Sequence, residues 1–294
     1  MKKLILILAF LLLVLAGNSP GVEAGVVYIN SEHLLQGELM TVLVDTTQFR
    51  PQGAFLGEKL QFIPYRMGWI AFFGVSFWTS PGAHTLELQL GEENIAREIE
   101  ILDGEFPESH ITVSEEKESL IRPTEEDEEI IARRERDREV LQKAYSDPHP
   151  LPLWEENFIM PTTGRRTTGF GYTRYVNNEF NNRHSGIDIA NLEGTPVYSV
   201  NRGKVVLAEE LVVAGKTVIV DHGGRIFSSY SHLSRIEVEV GDMIERGEKI
   251  GEMGETGFAT GSHLHWEIQT PEAKLDPDQF IDCDVFSLPR VPIY

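Results

Sequence analysis

Four histidines and one aspartate in the second half of the chain have the residue types and the spacing of a metal centre. Alternate residues of a strand share a face, so His263 and His265 would point to the same side. His184 and Asp188 have the same parity and would share a face of another strand. Imidazole nitrogens and carboxylate oxygens are ordinary zinc ligands. Together with His232, these residues predict a catalytic metal site.

A hydrolytic zinc site takes three protein ligands and leaves a fourth position for water, whose pKa falls towards 7. His184, Asp188 and His265 can supply the three ligands. His232 and His263 then remain to accept a proton from the water, to hydrogen-bond the oxyanion and to pass a proton to the leaving amine. Two imidazoles and a carboxylate suit zinc among the available divalent ions. We therefore expect one zinc ion per chain.

The motifs around these residues resemble those of the lysostaphin/LytM-type zinc metalloendopeptidases. They are His184-x-x-x-Asp188, then Tyr-Ser-His232-Leu, then His263-Leu-His265, with glycine-rich phrases between them. The resemblance covers roughly residues 158–281. It implies that His184, Asp188 and His265 bind zinc and that His232 and His263 are the catalytic histidines. It also implies cleavage of peptide bonds in peptidoglycan cross-bridges or stem peptides.

The same motifs are compatible with functions other than hydrolysis. Relatives that have lost ligands act as scaffolds or as activators of other cell-wall hydrolases, so a non-hydrolytic role is the alternative to an enzyme. The phrase Val240-Gly241-Asp242 resembles the hairpin of lipoyl or biotinyl carriers, but a carrier has no use for paired histidines. Some relatives use a tyrosine before the first ligand to help the oxyanion. Tyr172 or Tyr175 would take that role if the loop folds back.

The elements that must position these residues are predicted to be strands. Residues 154–283 are glycine-rich with apolar runs typical of β-structure, which predicts an antiparallel β metallopeptidase domain followed by a tail, 284–294. The predicted strands in this part are 197–200, 204–208, 217–220, 225–230, 236–240 and 263–269.

The first half is predicted to be a separate β-domain. Leu86, Leu88 and Leu90 alternate with polar residues, as in a half-buried strand. Six or seven short strands in residues 25–104 predict an immunoglobulin-like β-sandwich. The fold class of the whole chain is therefore all-β with two domains. The predicted strands here are 26–29, 39–44, 55–63, 70–75, 86–90 and 95–102.

Residues 105–153 are predicted to form a charged helical linker. Of the 25 residues from Glu115 to Glu139, 17 are charged, which predicts a solvated helix with Thr124 as its N-cap. The alternative is a docking surface for a cell-envelope protein, through the linker or the sandwich. We expect the two halves to fold as separate units with few shared contacts. The sandwich would hold the enzyme at the wall or at a partner, or cover the groove.

The formal net charge of −20 argues against nucleic acid as a partner, because duplex binding depends on a basic surface. A single cysteine, Cys283, excludes an internal disulfide bond. Lys2 and Lys3 precede thirteen apolar residues, too few for a membrane span, which predicts a signal peptide over residues 1–24. Cleavage after Ala24 is favoured over an uncleaved anchor. Either form predicts export to the periplasm, the cell wall or the medium.

Overall fold

The computed structural model describes residues 25–154, 157–281 and 291–292. The regular structure of the described residues consists mainly of β-strands, with two α-helices, so the all-β fold class is confirmed. Within the part of the chain that the structure describes, neither helix has the length and apolar character needed to cross a membrane. The predicted signal peptide, residues 1–24, and Cys283 lie outside the described residues.

The first half forms two packed sheets. Strands β1, β3, β7 and β6 make one sheet in that order, and β2, β9, β8, β4 and β5 make the other. Val42 and Phe73 on the first sheet and Leu88 on the second belong to one buried cluster between the sheets, which makes this half a β-sandwich. The strands are β1 (Val26–Ile29), β2 (His33–Leu35), β3 (Leu39–Asp45), β4 (Gln52–Phe55), β5 (Glu58–Lys59), β6 (Ile63–Tyr65), β7 (Gly68–Gly74), β8 (Gly82–Leu90) and β9 (Glu93–Leu102).

The connector, residues 105–153, contributes one strand and two helices. Strand β10 (Glu108–Ile111) is followed by α1 (Glu115–Ile121) and α2 (Glu128–Ser146). Thr124 is not an N-cap: α2 begins after Asp127, and the Thr124 N–H and hydroxyl both donate to the Asp127 carboxylate. This tight turn keeps Thr124 four residues ahead of the helix.

The second half is a large antiparallel sheet with a small sheet beside it. In the large sheet the order is β11-β14-β21-β18-β17-β16-β19, with β15, β20 and β22 paired at its side. The small sheet is β10-β12-β13, so the connector enters it through β10. The strands are β11 (Arg165–Thr168), β12 (Thr173–Val176), β13 (Glu179–Arg183), β14 (Ile187–Ala190), β15 (Pro196–Tyr198), β16 (Gly203–Leu211), β17 (Gly215–Asp221), β18 (Phe227–Ile236), β19 (Met243–Ile244), β20 (Lys249–Met253), β21 (His263–Gln269) and β22 (Lys274–Leu275).

Most predicted strands are present, and two are wrong. Residues 55–63 do not form one strand: β4 ends at Phe55, β5 covers Glu58–Lys59 and β6 begins at Ile63. The interruption after Phe55 is a turn in which Leu56 and Gly57 adopt positive φ. The run 236–240 lies past the end of β18 and forms no strand. A 3₁₀ turn, Pro277–Phe280, follows β22, and a last strand, β23 (Val291–Pro292), pairs with β1 to complete the first sheet.

The two halves share a hydrophobic core, contrary to the expectation of few shared contacts. Leu43 of β3 and Phe72 of β7 point away from the sandwich interior and belong to the same buried cluster as Ile187 and Trp266 of the second half. The first sheet is therefore buried on both faces, which explains why β3 reads as a continuous apolar run. Polar contacts add to this: the Gln279 side chain accepts from Leu39 N and donates to Gly37 O.

Candidate metal centre

Two adjacent strands bring the predicted ligands together. In the antiparallel pair β14–β21, Asp188 lies directly opposite His265, and Ala190 opposite His263. The alternation predicted for His263 and His265 is therefore confirmed. Asp188 Oδ1 lies 2.8 Å from His265 Nδ1 and 2.9 Å from His184 Nε2. These three donor atoms lie within 4.8 Å of one another, so one small cation could contact all three.

His184 reaches the site from a turn, and the prediction that it shares a strand with Asp188 is wrong. Strand β14 starts only at Ile187. Gly186, in the bend before it, approaches the Trp266 carbonyl too closely for a side chain. His184 is fixed instead by its backbone N–H, which donates to Tyr172 O at 2.8 Å. Its Nδ1–H donates to Gly169 O at 2.7 Å, which leaves Nε2 as the free ligand atom towards Asp188.

His232 is placed by an unusual backbone conformation. In the pair β18–β21, Tyr230 lies opposite Trp266 and Ser231 opposite His265, so strict alternation would direct His232 into the core with Tyr230. His232 has a φ of 64°, and a bulge interrupts the register of β17 and β18 at this point. This left-handed residue turns the imidazole back to the metal side. A non-glycine residue at positive φ costs on the order of 1–3 kcal/mol and is typical of functional sites.

His263 and His232 stand side by side next to the donor atoms. Their ring centroids are 4.8 Å apart, and His263 Nε2 lies 3.8 Å from Asp188 Oδ1. Each ring donates Nδ1–H to a backbone carbonyl, His232 to Thr256 O and His263 to Gly261 O, both at 2.8 Å. In both rings this tautomer leaves Nε2 as the nitrogen that can accept a proton.

The electrostatics distinguish His265 from the other three histidines of the site, whose pKa values burial lowers. Burial, together with the neighbouring His263 and His265, lowers the pKa of His232 to about 3, so this ring is neutral at ordinary pH. Burial also lowers the pKa of His265, but its hydrogen bonds with Asp188 and Glu267 outweigh that effect and raise the pKa to about 9. Burial raises the pKa of Asp188, whereas its bonds to His184 and His265 hold the pKa well below the usual range. A charged carboxylate thus faces the imidazoles.

The donor set fits zinc. Two imidazole nitrogens and one carboxylate oxygen converge, and each imidazole has its other nitrogen occupied by a hydrogen-bond acceptor, as zinc-ligating histidines require. Arg174 donates to Asp188 Oδ2 at 3.1 Å, which directs Oδ1 towards the histidines. Tyr175, one of the two tyrosines predicted to help the oxyanion, stacks its ring on His110. Arg174, which sequence reasoning missed, is the contact.

Two cavities flank the five residues. One of about 300 Å³ is lined by His184, His232 and His265, and one of about 230 Å³ by Asp188 and His263. The connector also lines them, through Ile121, Leu141 and Tyr145 in the larger cavity and Ile111 in the smaller. Sequence reasoning missed these connector residues as part of the site.

The residues around the site match a known protein family. Residues 182–277 match Peptidase family M23. The chain is 44% identical over 85 residues to the peptidoglycan DD-endopeptidase ShyA of Vibrio cholerae, which covers 29% of this chain and 20% of that protein. It is 36% identical over 104 residues to the glycyl-glycine endopeptidase ALE-1 of Staphylococcus capitis, which covers 35% of this chain and 29% of that protein. The chain thus spans less than a third of the length of either relative.

A solved structure shares more of the chain. It is described as a putative peptidase M23 from Pseudomonas aeruginosa, with 29% sequence identity and a TM-score of 0.62. The likeness covers 84% of this chain and 94% of that one. It therefore extends well beyond residues 182–277, into the part that carries the sandwich and the connector.

Proposed function

We propose that this chain, whose residues 182–277 match peptidase family M23, is a zinc metalloendopeptidase that hydrolyses peptide bonds in peptidoglycan cross-links or stem peptides. The observation that carries the proposal is the convergence of His184 Nε2, Asp188 Oδ1 and His265 Nδ1, with two further imidazoles beside them. Similarity to a peptidoglycan DD-endopeptidase and to a glycyl-glycine endopeptidase supports the substrate class.

The three converging atoms would hold one zinc ion. When bound, zinc supplies Lewis-acid polarisation of the scissile carbonyl and lowers the pKa of a water molecule towards 7. His232 is suited to accept the proton of the attacking water, because its ring is neutral, its Nδ1–H is fixed on Thr256 O and its Nε2 is the basic nitrogen.

His263 is suited to the partner role. Its ring is also fixed through Nδ1, on Gly261 O, and burial lowers its pKa, so it starts neutral like His232. With a proton on Nε2 it could hydrogen-bond the oxyanion or deliver that proton to the leaving amine. Two adjacent imidazoles can divide these tasks because their rings lie only 4.8 Å apart.

A non-hydrolytic scaffold has less support. A scaffold has no need of three ligand atoms within 4.8 Å or of two neutral imidazoles held in one tautomer, and this chain keeps all five. A wall substrate also requires export, which agrees with the predicted signal peptide and is part of the proposal. The same proposal includes a cell-envelope protein partner, bound through the sandwich or the connector.

The test is digestion of purified peptidoglycan by the zinc-loaded protein, with the released peptides identified by mass spectrometry. We expect new amino termini, a stoichiometry near one zinc per chain and loss of activity with a strong chelator. The masses would distinguish a glycyl bridge from a D-amino-acid cross-link. Zinc binding without any cleavage of wall material would overturn the enzyme proposal and favour the scaffold.

A further inference from the structure

We infer that Glu267, supported by Lys274, is a positioning residue for the metal ligand His265. The inference rests on the proposed function and adds a residue to it. His265 is held at both nitrogens: Nδ1 lies 2.8 Å from Asp188 Oδ1, and Nε2 lies 3.1 Å from Glu267 Oε1. Glu267 touches the ligand, and Lys274 touches Glu267 through Nζ at 2.7 Å from Oε2.

The strand geometry places this pair. His265 and Glu267 are alternate residues of β21, so both side chains leave the same face of the sheet. Lys274 belongs to β22, which pairs with the end of β21 through Gln269. The Glu267 side chain is only 12% exposed. Its two carboxylate oxygens face two different partners, Oε1 the His265 ring and Oε2 the Lys274 ammonium.

A carboxylate at this position has two effects on the ligand. It accepts Nε2–H, which fixes the tautomer and keeps Nδ1 available for the metal, and it makes the imidazole more basic. His184 has only a neutral carbonyl, Gly169 O, in the equivalent position. The two imidazole ligands are therefore supported unequally, and His265 is the one that depends on a charged group.

Zinc affinity measured against a chromophoric chelator tests the inference. Glu267→Ala should lower the affinity by about 10–100-fold, the usual effect of losing such a partner. Glu267→Gln keeps an acceptor oxygen and should recover most of the loss. Lys274→Met should cause a smaller loss, because Glu267 keeps its contact but not its counter-ion. The visible spectrum of the cobalt-substituted protein should shift in Glu267→Ala.

The matched control is Glu252→Ala. Glu252 forms a similar pair with Lys249, at 2.8 Å, on strand β20, and its loss should leave zinc affinity unchanged. Wild-type affinity and an unshifted cobalt spectrum in Glu267→Ala would overturn the inference. If Glu267→Ala does not fold, unchanged zinc affinity in Lys274→Met would overturn it. Absence of wall cleavage by the wild type bears on the enzyme proposal alone, because zinc affinity is measured without substrate.

A different observation concerns access to the site. We propose that residues 111–122, here called the strap, close the substrate groove and must move before a peptide can bind. The strap joins two segments that line the cavities. Lys117 Nζ donates to Gly257 O at 3.0 Å, in the loop before β21. At the other end, the Arg122 guanidinium donates to Val176 O and Phe180 O in the hairpin of β12 and β13.

The strap contributes one residue to the lining of each cavity. Ile111, at its start, lines the smaller cavity, and Ile121, near its end, lines the larger one. Arg174 and Phe258 line both cavities. His232 is only 7% exposed, and Ile121 lines the same cavity as this imidazole. The strap therefore forms part of the wall that a peptide would have to pass to reach His232.

The strap is also easier to move than the sheets. All seven residues of α1 stay at least partly exposed, so displacing the helix removes little apolar burial. Its attachments are mainly hydrogen bonds, including those of Asn177 with Val113 and Glu118 on the hairpin side. Each bond of this kind contributes on the order of 1 kcal/mol.

The double variant Lys117→Ala/Arg122→Ala tests the strap. We expect histidine modification by diethylpyrocarbonate to be several-fold faster at the site, and cleavage of a soluble muropeptide dimer to rise by a similar factor. The matched control is Arg138→Ala/Lys143→Ala, which removes the same charges from the exposed side of α2. Equal modification rates in the wild type and the strap variant, with both folded, would overturn the strap proposal. The modification rate needs no turnover, so it is separate from the enzyme proposal.

Discussion

The donor face of β14 and β21 and the connector, residues 105–153, line the same cavities but are held in place differently. On the donor face, Asp188 and His265 are opposite each other in register, and the residues beside them, Ile187 and Trp266, are fully buried in the shared core. In the connector, α1 exposes every residue to some degree, while α2 buries Asp137 and Ala144.

This difference separates the residues that determine metal binding and turnover from those that determine how a substrate reaches the site. The positions of the donor atoms follow from strand register and a close-packed core, and such positions change only if the core changes. The connector is attached through a few polar contacts and one apolar patch, so its position can change without disturbing the donors. Substitutions on the donor face should therefore alter metal binding and turnover, and substitutions in the connector should alter access and local stability.

Removal of the first half should have the largest effect, because it tests whether the donor face can fold without the sandwich and the connector. A chain that begins at Trp154 should not fold stably, because the buried cluster that contains Phe158 and Ile187 would lose Leu43 and Phe72. Burial of one such side chain contributes about 1.5–3 kcal/mol, and a domain is stable by only about 5–15 kcal/mol. The measurement is thermal unfolding followed by circular dichroism, with residues 25–294 as the control. Cooperative unfolding of the short chain would show instead that residue 154 is a true domain boundary.

Substitutions of single histidines distinguish the proposed metal ligands from the proposed catalytic residues. His265→Ala should lose zinc, because one imidazole and one carboxylate remain. His232→Ala should keep zinc and lose turnover by at least about a hundredfold, because a general acid–base group is missing. Zinc content and kcat on a muropeptide dimer measure the two effects.

The control for these variants is His33→Ala, which removes an exposed histidine of the sandwich that pairs with Glu100. It should change neither zinc content nor kcat. The reverse pattern, in which His232→Ala loses zinc and His265→Ala retains it, would show that the ligand and catalytic roles have been exchanged.

The donor face was readable from the sequence because alternation is a local rule. His263 and His265 were placed correctly from β21 alone, and Asp188 from its own strand. The position of His232 was not readable, because it depends on a φ of 64° that reverses the alternation. Alternation along β21 places Glu267 on the same face as His265, but the contact between them depends on side-chain conformation, which alternation does not predict.

The connector was read wrongly because charge dominates its first part. The 17 charged residues between Glu115 and Glu139 predict a solvated helix, yet α2 continues into Val140, Leu141, Ala144 and Tyr145. These four recur at helical spacing and pack on Leu207 and Phe227 of the large sheet. This short apolar stripe is the signal that could have predicted docking. The hydrogen bonds of the strap have no comparable signal, because they join side chains to backbone carbonyls far away in sequence.

Acid should weaken the junction where the connector enters the second half. Leu153 N–H donates to His222 O, and the His222 ring is fully buried between Arg202 O and the Ser228 hydroxyl. Burial lowers the pKa of His222 from 6.5 to about 4. Because the folded pKa is below the unfolded one, the unfolded state binds more protons between these values, and stability is lost as the pH falls from 6.5 to 4.

The difference between the wild type and His222→Gln isolates this effect from the other histidines. At about 1.4 kcal/mol per pKa unit, the advantage of the wild type in urea unfolding should shrink by roughly 3 kcal/mol between pH 6.5 and pH 4. An advantage that does not change with pH would show that the pKa of His222 is the same in the folded and unfolded states.

The smallest expected effect tests whether the connector can be loosened without disturbing the donors. Asp137 Oδ2 accepts from the buried Val212 N–H at 2.7 Å and is the buried polar anchor of α2 on the large sheet. Asp137→Ala removes this acceptor and should cost about 1–3 kcal/mol of stability, with faster hydrogen exchange at the Val212 amide. Glu135→Ala, which removes an exposed ion pair with Arg138 on the same helix, should cost less than about 0.5 kcal/mol. Zinc affinity should stay at the wild-type value in both variants. A fall in zinc affinity in Asp137→Ala would mean that α2 helps to hold the donor atoms, and the separation of chemistry from access would then fail.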